Sequence, residues 1–350
     1  MLPDRPLLTI AIPTYNRSAC LARLLESLAP QLEGENRIEL IISDNASPDD
    51  TRAVVKSFQE KGVRLHYIRS EENIGPDANF LKCFRVANGR YVWIFGDDDI
   101  ILPGSLAKLL NILSQNEYDL VYVGFFTLSG PLTTEKSSHQ IEAEVIESAR
   151  EMVKRANHSL TFISGNIINR ERVRNEIERP LEELVGTNLL QLGWIFTALN
   201  NFRRGIHVTE PLIAAGDSAS PDFNFIGVFG PNFVSITDRW LNDPSLRRII
   251  FSSVLKTLMP YFLIRSRRIS NALAANRSAR AAVSSAFRSN HLYWLYNYPI
   301  ITLPLKLAEA YWLIVRICNR FDGLLARAEI AMRLAVFRRT DHFKLSVDRE

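Results

Sequence analysis

The 350-residue sequence holds only three cysteines, Cys20, Cys83 and Cys318, odd in number and far apart. None has the spacing of a metal site or a disulfide framework, so a reducing compartment is expected. The opening residues, Met1-Leu2-Pro3-Asp4-Arg5-Pro6, lack a basic stretch and a long apolar run, and no signal peptide is expected. No G-x-G-x-x-G and no G-x-x-x-x-G-K-[ST] occurs at the strand ends, which disfavours a dinucleotide site or a P-loop. Internal repeats and low-complexity tracts are also missing. No apolar run reaches the length of about 18–20 residues needed to span a bilayer, so no segment is expected to cross one. What is present is enough apolar residue, 47% against 23% charged, to bury a sizeable core. The length suits roughly two domains or one large one.

Charge is unevenly placed. Residues 246–350 carry 18 Lys and Arg against 6 Asp and Glu, a net of +12. The whole chain is 42 − 38 = +4, so residues 1–245 carry 24 − 32 = −8. An acidic front and a basic tail imply that the tail meets something anionic, a membrane or a nucleic acid. No nucleic-acid-binding motif accompanies that charge, so no nucleic-acid partner is expected.

The first half alternates strand and helix. Leu7 to Ile12 is a near-continuous apolar run, as in a strand buried on both faces, and it stops at Pro13. A helix is predicted from Ser18 to Leu28, with Leu21, Leu24, Leu25 and Leu28 on one face. Ile38 to Ser43 reads as the second strand. Ser47 and Pro48 read as the N-cap and first position of the next helix. Val63 to Arg69 is a third strand, and Gly75 to Ala87 a third helix closed by Asn88-Gly89. Tyr91 to Phe95, a helix from Ser105 to Ser114, and Leu120 to Val123 complete the series. Such a pattern implies an α/β fold with a mainly parallel sheet and helices on both faces. Ligands of such sheets bind outside the carboxyl ends of the strands, where strand order reverses.

Three strand ends carry distinctive residues: Pro13-Thr14-Tyr15-Asn16-Arg17, Ser43-Asp44-Asn45-Ala46-Ser47 and Gly96-Asp97-Asp98-Asp99. Three adjacent carboxylates repel one another unless a cation sits among them, and oxygen-only ligands suit Mg²⁺ or Mn²⁺. In an extended segment Asp97 and Asp99 point the same way and Asp98 the other. The competing reading is an acidic turn that caps the following helix.

These motifs resemble the successive signatures of glycosyltransferase family 2. Ile12-Pro13-Thr14-Tyr15-Asn16, Ser43 to Ser47, Asn73-Ile74-Gly75 and Asp97-Asp98-Asp99 occur in the family's order over about residues 7–125. Gly75-Pro76-Asp77-Ala78-Asn79-Phe80 is most similar to the branch that includes bacterial abequosyltransferases. The resemblance implies a GT-A, Rossmann-like fold and a nucleotide diphosphate sugar donor, usually a UDP-sugar. It implies that Pro13, Thr14, Tyr15 and Asn16 line the nucleotide pocket, and that Asp44, beside Asn45, holds the base. Gly75, Asp77 and Asn79 would lie beside the donor, together with Asp97 and Asp98. Asp97 and Asp99 would hold Mn²⁺ or Mg²⁺. The anomeric centre would be inverted, with an acid deprotonating the acceptor hydroxyl while the metal stabilises the departing diphosphate.

The second half departs from that pattern. Where the family places a Gly-Glu-Asp-like motif with the base, this chain has Gly186-Thr187-Asn188, and neither Thr nor Asn is a useful base. Asp217, in the flexible composition Ala214 to Ser220, is the foremost substitute, followed by Glu182 and Glu183. Arg203 and Arg204 are either a phosphate clamp or a solvated pair, and His207 is expected to be structural.

The tail from His291 to Cys318 mixes Tyr293, Trp294, Tyr296, Tyr298, Tyr311 and Trp312 with basic residues. That composition suits either an amphipathic helix at the headgroup level or a helical domain packed on the catalytic sheet. The expected organisation is a GT-A domain over 1–240, divided at about 125 into donor-side and acceptor-side halves, and a helical extension over 241–350. The expected activity is transfer of a sugar to a saccharide acceptor, lipid-linked or free, during cell-surface polysaccharide or O-antigen synthesis. The enzyme is placed in the cytoplasm or at the inner face of its membrane. A metal-dependent nucleotidyltransferase and a non-catalytic nucleotide-sugar-binding scaffold are the alternatives. The first would need a basic, Gly-rich phosphate loop, which Thr14-Tyr15-Asn16 does not supply.

Overall fold

The computed structural model describes residues 5–127, 143–216, 224–269 and 281–317. Two compact units part between Phe251 and Ser252. The boundary lies beyond the expected 240 because the intervening segment is anchored. Leu241, Leu246 and Ile250 are buried, and the N–H of Asn242 donates to Asn200 Oδ1 at 2.9 Å.

The first unit is built on one sheet. Its strands are β1 (Leu8–Thr14), β2 (Ile38–Asp44), β3 (His66–Arg69), β4 (Tyr91–Ile94), β5 (Ile100–Ile101), β6 (Leu120–Thr127), β7 (Ala143–Ile146), β8 (Asn166–Asn169) and β9 (Gly205–Ala215). Their order is β3-β2-β1-β4-β8-β6-β9-β5, with β7 on β9. β3-β2-β1-β4 is wholly parallel. β8 then runs antiparallel to both β4 and β6, and β5 and β7 run antiparallel to β9. β6 and β9 pair in parallel, so the expected mainly parallel sheet is present, with the antiparallel strands β5, β7 and β8 added in its second half. Regular strand-helix alternation ends with the helix before β6, which leaves room for those antiparallel neighbours.

The helices α1 (Ser18–Leu32), α2 (Thr51–Glu60), α3 (Pro76–Val86) and α4 (Ser105–Gln115) alternate with these strands. The side-chain period of two divides the sheet. Leu8, Ile10 and Ile12 of β1 and Tyr91 and Trp93 of β4 form one core with Leu21, Leu24, Leu25 and Leu28 of α1, Val55 and Phe58 of α2, and Leu106, Leu109 and Leu110 of α4. On the other face α3 packs on β1, β2 and β4. Phe84 of α3 stacks on Trp194, at 5.1 Å between ring centroids. Trp194 belongs to α7 (Gln191–Asn200), which follows α5 (Ala149–Ala156) and α6 (Arg170–Glu176).

Several local expectations shift, each for a physical reason. β1 runs on through Pro13, because the β1–β4 ladder has ended at Ala11 and no N–H is needed on that side. α2 starts at Thr51 rather than beside Ser47. Ser47 Oγ instead accepts from the N–H of Asn16, and Asp49 Oδ1 accepts from the N–H of Thr51. Gly89 is no left-handed helix stop. A side chain there would meet the Thr9 backbone nitrogen at 2.5 Å, so glycine permits the close approach to β1.

The second unit is helical, as expected. It includes Met259–Ile269, the wide turn Tyr293–Asn297, Tyr298–Thr302 and helical residues 305–317. Its core holds Leu255, Met259, Leu263, Ile300 and a fully buried Tyr293, whose hydroxyl lies 2.6 Å from Ser284 Oγ. Asn297 donates to the carbonyl of Leu255 at 2.9 Å. One helical run, Pro244–Arg268, with mean hydropathy 1.2, is long and apolar enough by length and composition to cross a bilayer; 39% of that window is buried inside the protein. This corrects the expectation that no segment could. Arg247, Arg248 and Lys256 interrupt its apolar sequence, while the wide turn Val254–Leu258 keeps it helical.

Candidate active site

Strand order reverses direction between β1 and β4, so their carboxyl ends open a crevice at a topological switch point. β1, β2 and β4 deliver their polar termini there. Asn45 N–H donates to the Thr14 carbonyl at 2.9 Å, and Thr14 Oγ1 donates to Asp97 Oδ2 at 2.8 Å, so the three strand ends are joined.

Asp44 is fully buried and its carboxylate is saturated. Oδ1 accepts from the N–H of Ser47 at 2.8 Å, and Oδ2 from Tyr67 Oη at 2.6 Å and Arg69 Nη1 at 2.5 Å. Burial opposes the charge, but these donors outweigh it and hold the carboxyl below the usual range. Tyr67 and Arg69 had carried no signal beyond lying on a strand. Register places them, since Ser43 and Asp44 pair with Ile68 and Arg69.

The acids after β4 occupy a turn rather than an extended segment, closed by Asp99 N–H donating to the Gly96 carbonyl at 3.3 Å. Asp97 and Asp99 are buried, while the Asp98 side chain keeps 18% exposure. The turn does not set Asp98 apart from Asp97 as an extended segment would: Asp97 and Asp98 converge on Arg17, while Asp99 faces Ser164 and Gly216. Arg17, placed by the chain between β1 and α1, bridges the first two acids. Its guanidinium lies 2.9 Å from Asp97 Oδ1 and 3.0 Å from Asp98 Oδ2. Asp99 accepts from Ser164 Oγ through Oδ2 and from the N–H of Gly216 at 2.8 Å through Oδ1. Ser164 Oγ in turn accepts from the N–H of Gly96 at 2.8 Å. Gly216 must be glycine for this contact, because a Cβ there would stand 2.5 Å from the Asp98 carbonyl oxygen. Sequence reasoning missed Arg17 and Ser164. Arg17 follows the first motif directly, whereas Ser164 is far along the chain and carries no local signal.

Burial, only partly offset by Arg17 and Thr14, raises Asp97 to about 6. Burial outweighs the Ser164 hydrogen bond and, with the charge of Asp98, raises Asp99 to about 7. Two buried carboxylates short of positive charge fit a hard divalent cation, and their donor set is oxygen alone. Among the described residues no group of three His, Cys, Asp or Glu side chains is arranged to hold a metal. The fit is therefore to the mode in which one or two carboxylates share the ion with substrate phosphates.

Other candidates are engaged elsewhere. Tyr15 and Asn16 are exposed at the crevice lip, Asn16 in the left-handed region at φ 53°, and Pro13 is buried in β1. Asn45 holds the 73–75 loop, donating to Asn73 Oδ1 at 2.7 Å and accepting from the N–H of Ile74 at 2.9 Å. Gly75, at φ 84°, starts α3. Asn79 is locked to Ser43, donating to its carbonyl at 2.9 Å and accepting from its hydroxyl at 2.6 Å. Asp77 turns away from the three strand ends. Its carboxylate accepts from the N–H of Asn188 at 2.8 Å and faces the start of α7, so it organises the Gly186–Leu190 loop. Its pKa is raised by burial against these backbone donors. Asp77 and Asn79 are therefore spent on scaffolding rather than presented to a donor.

The weaker base candidates form ion pairs outside this cluster. Glu182 pairs with Arg85, and Glu183 with Arg239 at 2.9 Å. Glu182 is held below the usual range by its own backbone N–H and by Arg85, which makes it a poor base. The Arg203 side chain pairs with Glu176 at 2.6 Å and that of Arg204 donates to Asn116 Oδ1 at 3.1 Å, while their backbone N–H groups donate to Asp119 Oδ2 at 2.6 and 2.9 Å. His207 stacks on Tyr122, at 5.3 Å between centroids, and burial lowers its pKa. Asp217 lies outside the described residues, and the residue before it, Gly216, is the one bonded to Asp99.

Several known proteins are similar to this chain. Abequosyltransferase RfbV of Salmonella typhimurium is 43% identical over 108 residues, 31% of this chain and 32% of that protein. A GalNAc(5)-diNAcBac-PP-undecaprenol beta-1,3-glucosyltransferase of Campylobacter jejuni is 26% identical over 174 residues, 49% of this chain and 56% of that protein. The chain thus spans less than two thirds of the curated relatives it matches. The crystal structure of S. aureus TarS 1–349 in complex with UDP superposes with a TM-score of 0.59 at 20% identity, covering 88% of both chains, and shares the fold. Residues 9–177 match the model of Glycosyl transferase family 2, so this chain carries a domain similar to that family.

Proposed function

We propose that the protein transfers a sugar from a nucleotide diphosphate sugar to a saccharide acceptor with inversion at the anomeric carbon. The observation that carries this reading is the buried, under-compensated pair Asp97 and Asp99 at the switch point, bonded through Thr14 to the strand end that leads into Asp44. Asp44 is ionised, and it accepts from the N–H edge of a base, uracil in a UDP-sugar, once Tyr67 or the partly exposed Arg69 gives up its place on Oδ2; the UDP complex of the similarly folded TarS supports that choice. Asp97 and Asp99 would hold Mn²⁺ or Mg²⁺, which supplies charge neutralisation of the departing diphosphate. Arg17 leaves Asp97 as the donor enters and turns its guanidinium to the phosphates, a bidentate partner already at the site. Ser164 and Gly216 keep the Asp99 carboxylate oriented.

Asp217 takes the proton from the acceptor hydroxyl. Glu182 and Glu183 are less suited, since Arg85 and Arg239 stabilise their charged forms. The acceptor is a saccharide of cell-surface polysaccharide assembly carried on a lipid, as in the undecaprenol-linked substrate named for the Campylobacter relative. The enzyme works in the cytoplasm and peripherally at the inner membrane face. The test is to incubate the protein with Mn²⁺ and a panel of nucleotide sugars, scoring nucleotide release with and without a saccharide acceptor. Acceptor-dependent release supports the reading. Donor binding without any release would leave a nucleotide-sugar-binding scaffold.

A further inference from the structure

The second unit combines an uncovered apolar face with charge of almost one sign. Between Ser252 and Ile317 the sequence holds nine Lys and Arg and a single acid, Glu309, which lies 2.7 Å from Arg268. The helix at 305–317 buries one face through Ala308 and Val315, at 0% and 6% exposure. At 3.6 residues per turn, Leu307, Leu313, Ile314 and Ile317 fall on the opposite side. They are 57%, 55%, 59% and 47% exposed. Lys306 and Ala310 share that side, and Glu309 lies at its edge, paired with Arg268. Large aliphatic side chains left bare side by side mark a surface that something covers. Trp294 and Leu295 are also exposed, at 51% and 54%.

The aromatic residues of this tail are mostly not the exposed ones. Tyr293 is fully buried, and Trp312 is half-buried near Tyr261, at 6.3 Å between centroids. The bare surface is aliphatic. Charge decides its occupant. A second copy would bring another net +8 (nine minus one) against the first, and like charges oppose association. An anionic lipid surface satisfies both features, since apolar side chains enter the acyl boundary while Lys and Arg meet the headgroups.

We propose that residues 305–317 dock in the plane of an anionic membrane, with Leu307, Leu313, Ile314 and Ile317 immersed and Lys306, on the same side, at the headgroups. The inference deepens the lipid-linked acceptor reading and rests on it for its biological purpose. It is tested without any sugar, so that the two fail separately. The full-length protein is mixed with vesicles of phosphatidylglycerol and phosphatidylcholine and floated on a density gradient. It should float at low salt, be partly released at high salt, and be stripped fully by alkaline carbonate. The triple variant Leu307→Gln, Leu313→Gln, Ile314→Gln should lose at least about a hundredfold in partition coefficient, and Ile314→Gln alone about tenfold. Both are to keep the parent's melting temperature and its solution mass. Failure of the parent to float, or equal flotation of the single and triple variants and the parent, overturns the proposal. So does retention in carbonate, which marks a spanning helix such as Pro244–Arg268. A change of solution mass in the triple variant also overturns it, by showing that a second copy covers this face.

Discussion

Asp99, in the turn after β4, and Asp119, just before β6, are almost equally buried, at 3% and 2% exposure. Asp119 is surrounded by compensation. Arg172 and Arg203 pair with Oδ1, and the backbone N–H groups of Arg203 and Arg204 fill Oδ2. Asp99 has one hydroxyl, one backbone N–H and two neighbouring acids, and its pKa is lifted to about 7. One acid is a structural hub of the mixed half of the sheet. The other, at the end of the parallel half, is left short of positive charge. Full satisfaction marks a carboxylate spent on folding, and a deficit marks one that awaits a partner.

The comparison is broken most directly by Asp99→Asn. Transfer should fall by at least about a hundredfold, the scale of losing one charge-stabilising group at an active site. Stability should move the other way. The folded pKa is raised, so the proton binds more tightly in the folded chain; that stabilisation is complete below the ordinary value of 3.8 and is lost as pH rises through about 7. Without metal the parent should therefore weaken between about pH 4 and pH 7. Asp99→Asn should melt about 2–4 °C higher at pH 7.5, as for a gain of about 1 kcal/mol. Scanning calorimetry with chelator, beside an assay with Mn²⁺, reads both. A less stable Asp99→Asn would show that the acid is structural.

Asp217→Asn should slow transfer by about two orders of magnitude, as for a lost general base, with donor affinity unchanged by calorimetric titration. A rate within about threefold of the parent would make Asp217 a turn residue and return Glu182 and Glu183 to the test. Asp119→Asn sharpens the contrast from the other side. It should cost about 2–3 kcal/mol in denaturant unfolding, because it leaves Arg172 and two backbone N–H groups poorly paired, while a folded sample keeps its donor affinity. The smallest effect is expected from Arg17→Gln. Removing the guanidinium that competes for Asp97 should tighten Mn²⁺ binding to the donor-free protein, measured by electron paramagnetic resonance. It should also raise the donor KM by about tenfold, the loss of a charge-assisted bond worth about 1.4 kcal/mol. Unchanged Mn²⁺ affinity would mean that Arg17 and the metal do not share Asp97.

Much of the first half was legible because its signals are local. Leu21, Leu24, Leu25 and Leu28 show a helical period, and the β1, β2 and β4 runs show buried strands. The acid turn and its neighbours at the strand ends followed from topology, since parallel strands present their carboxyl ends on one edge. The roles of Asp77 and Asn79 were not legible, because both lie within a motif that faces the crevice in sequence but turns to Asn188 and Ser43 in space.

By itself, the sequence determined the strand-helix series, the carboxylates delivered to one sheet edge and the basic tail, because periodicity, strand ends and charge are properties of adjacent residues. Tertiary structure alone decided that β8 enters antiparallel and that Arg17 bridges Asp97 and Asp98. It also decided that Ser164 and Gly216 hold Asp99, and that the bare face of the tail is aliphatic. Each of these joins residues far apart in the chain, or depends on which side of an element is covered, and no local pattern encodes either.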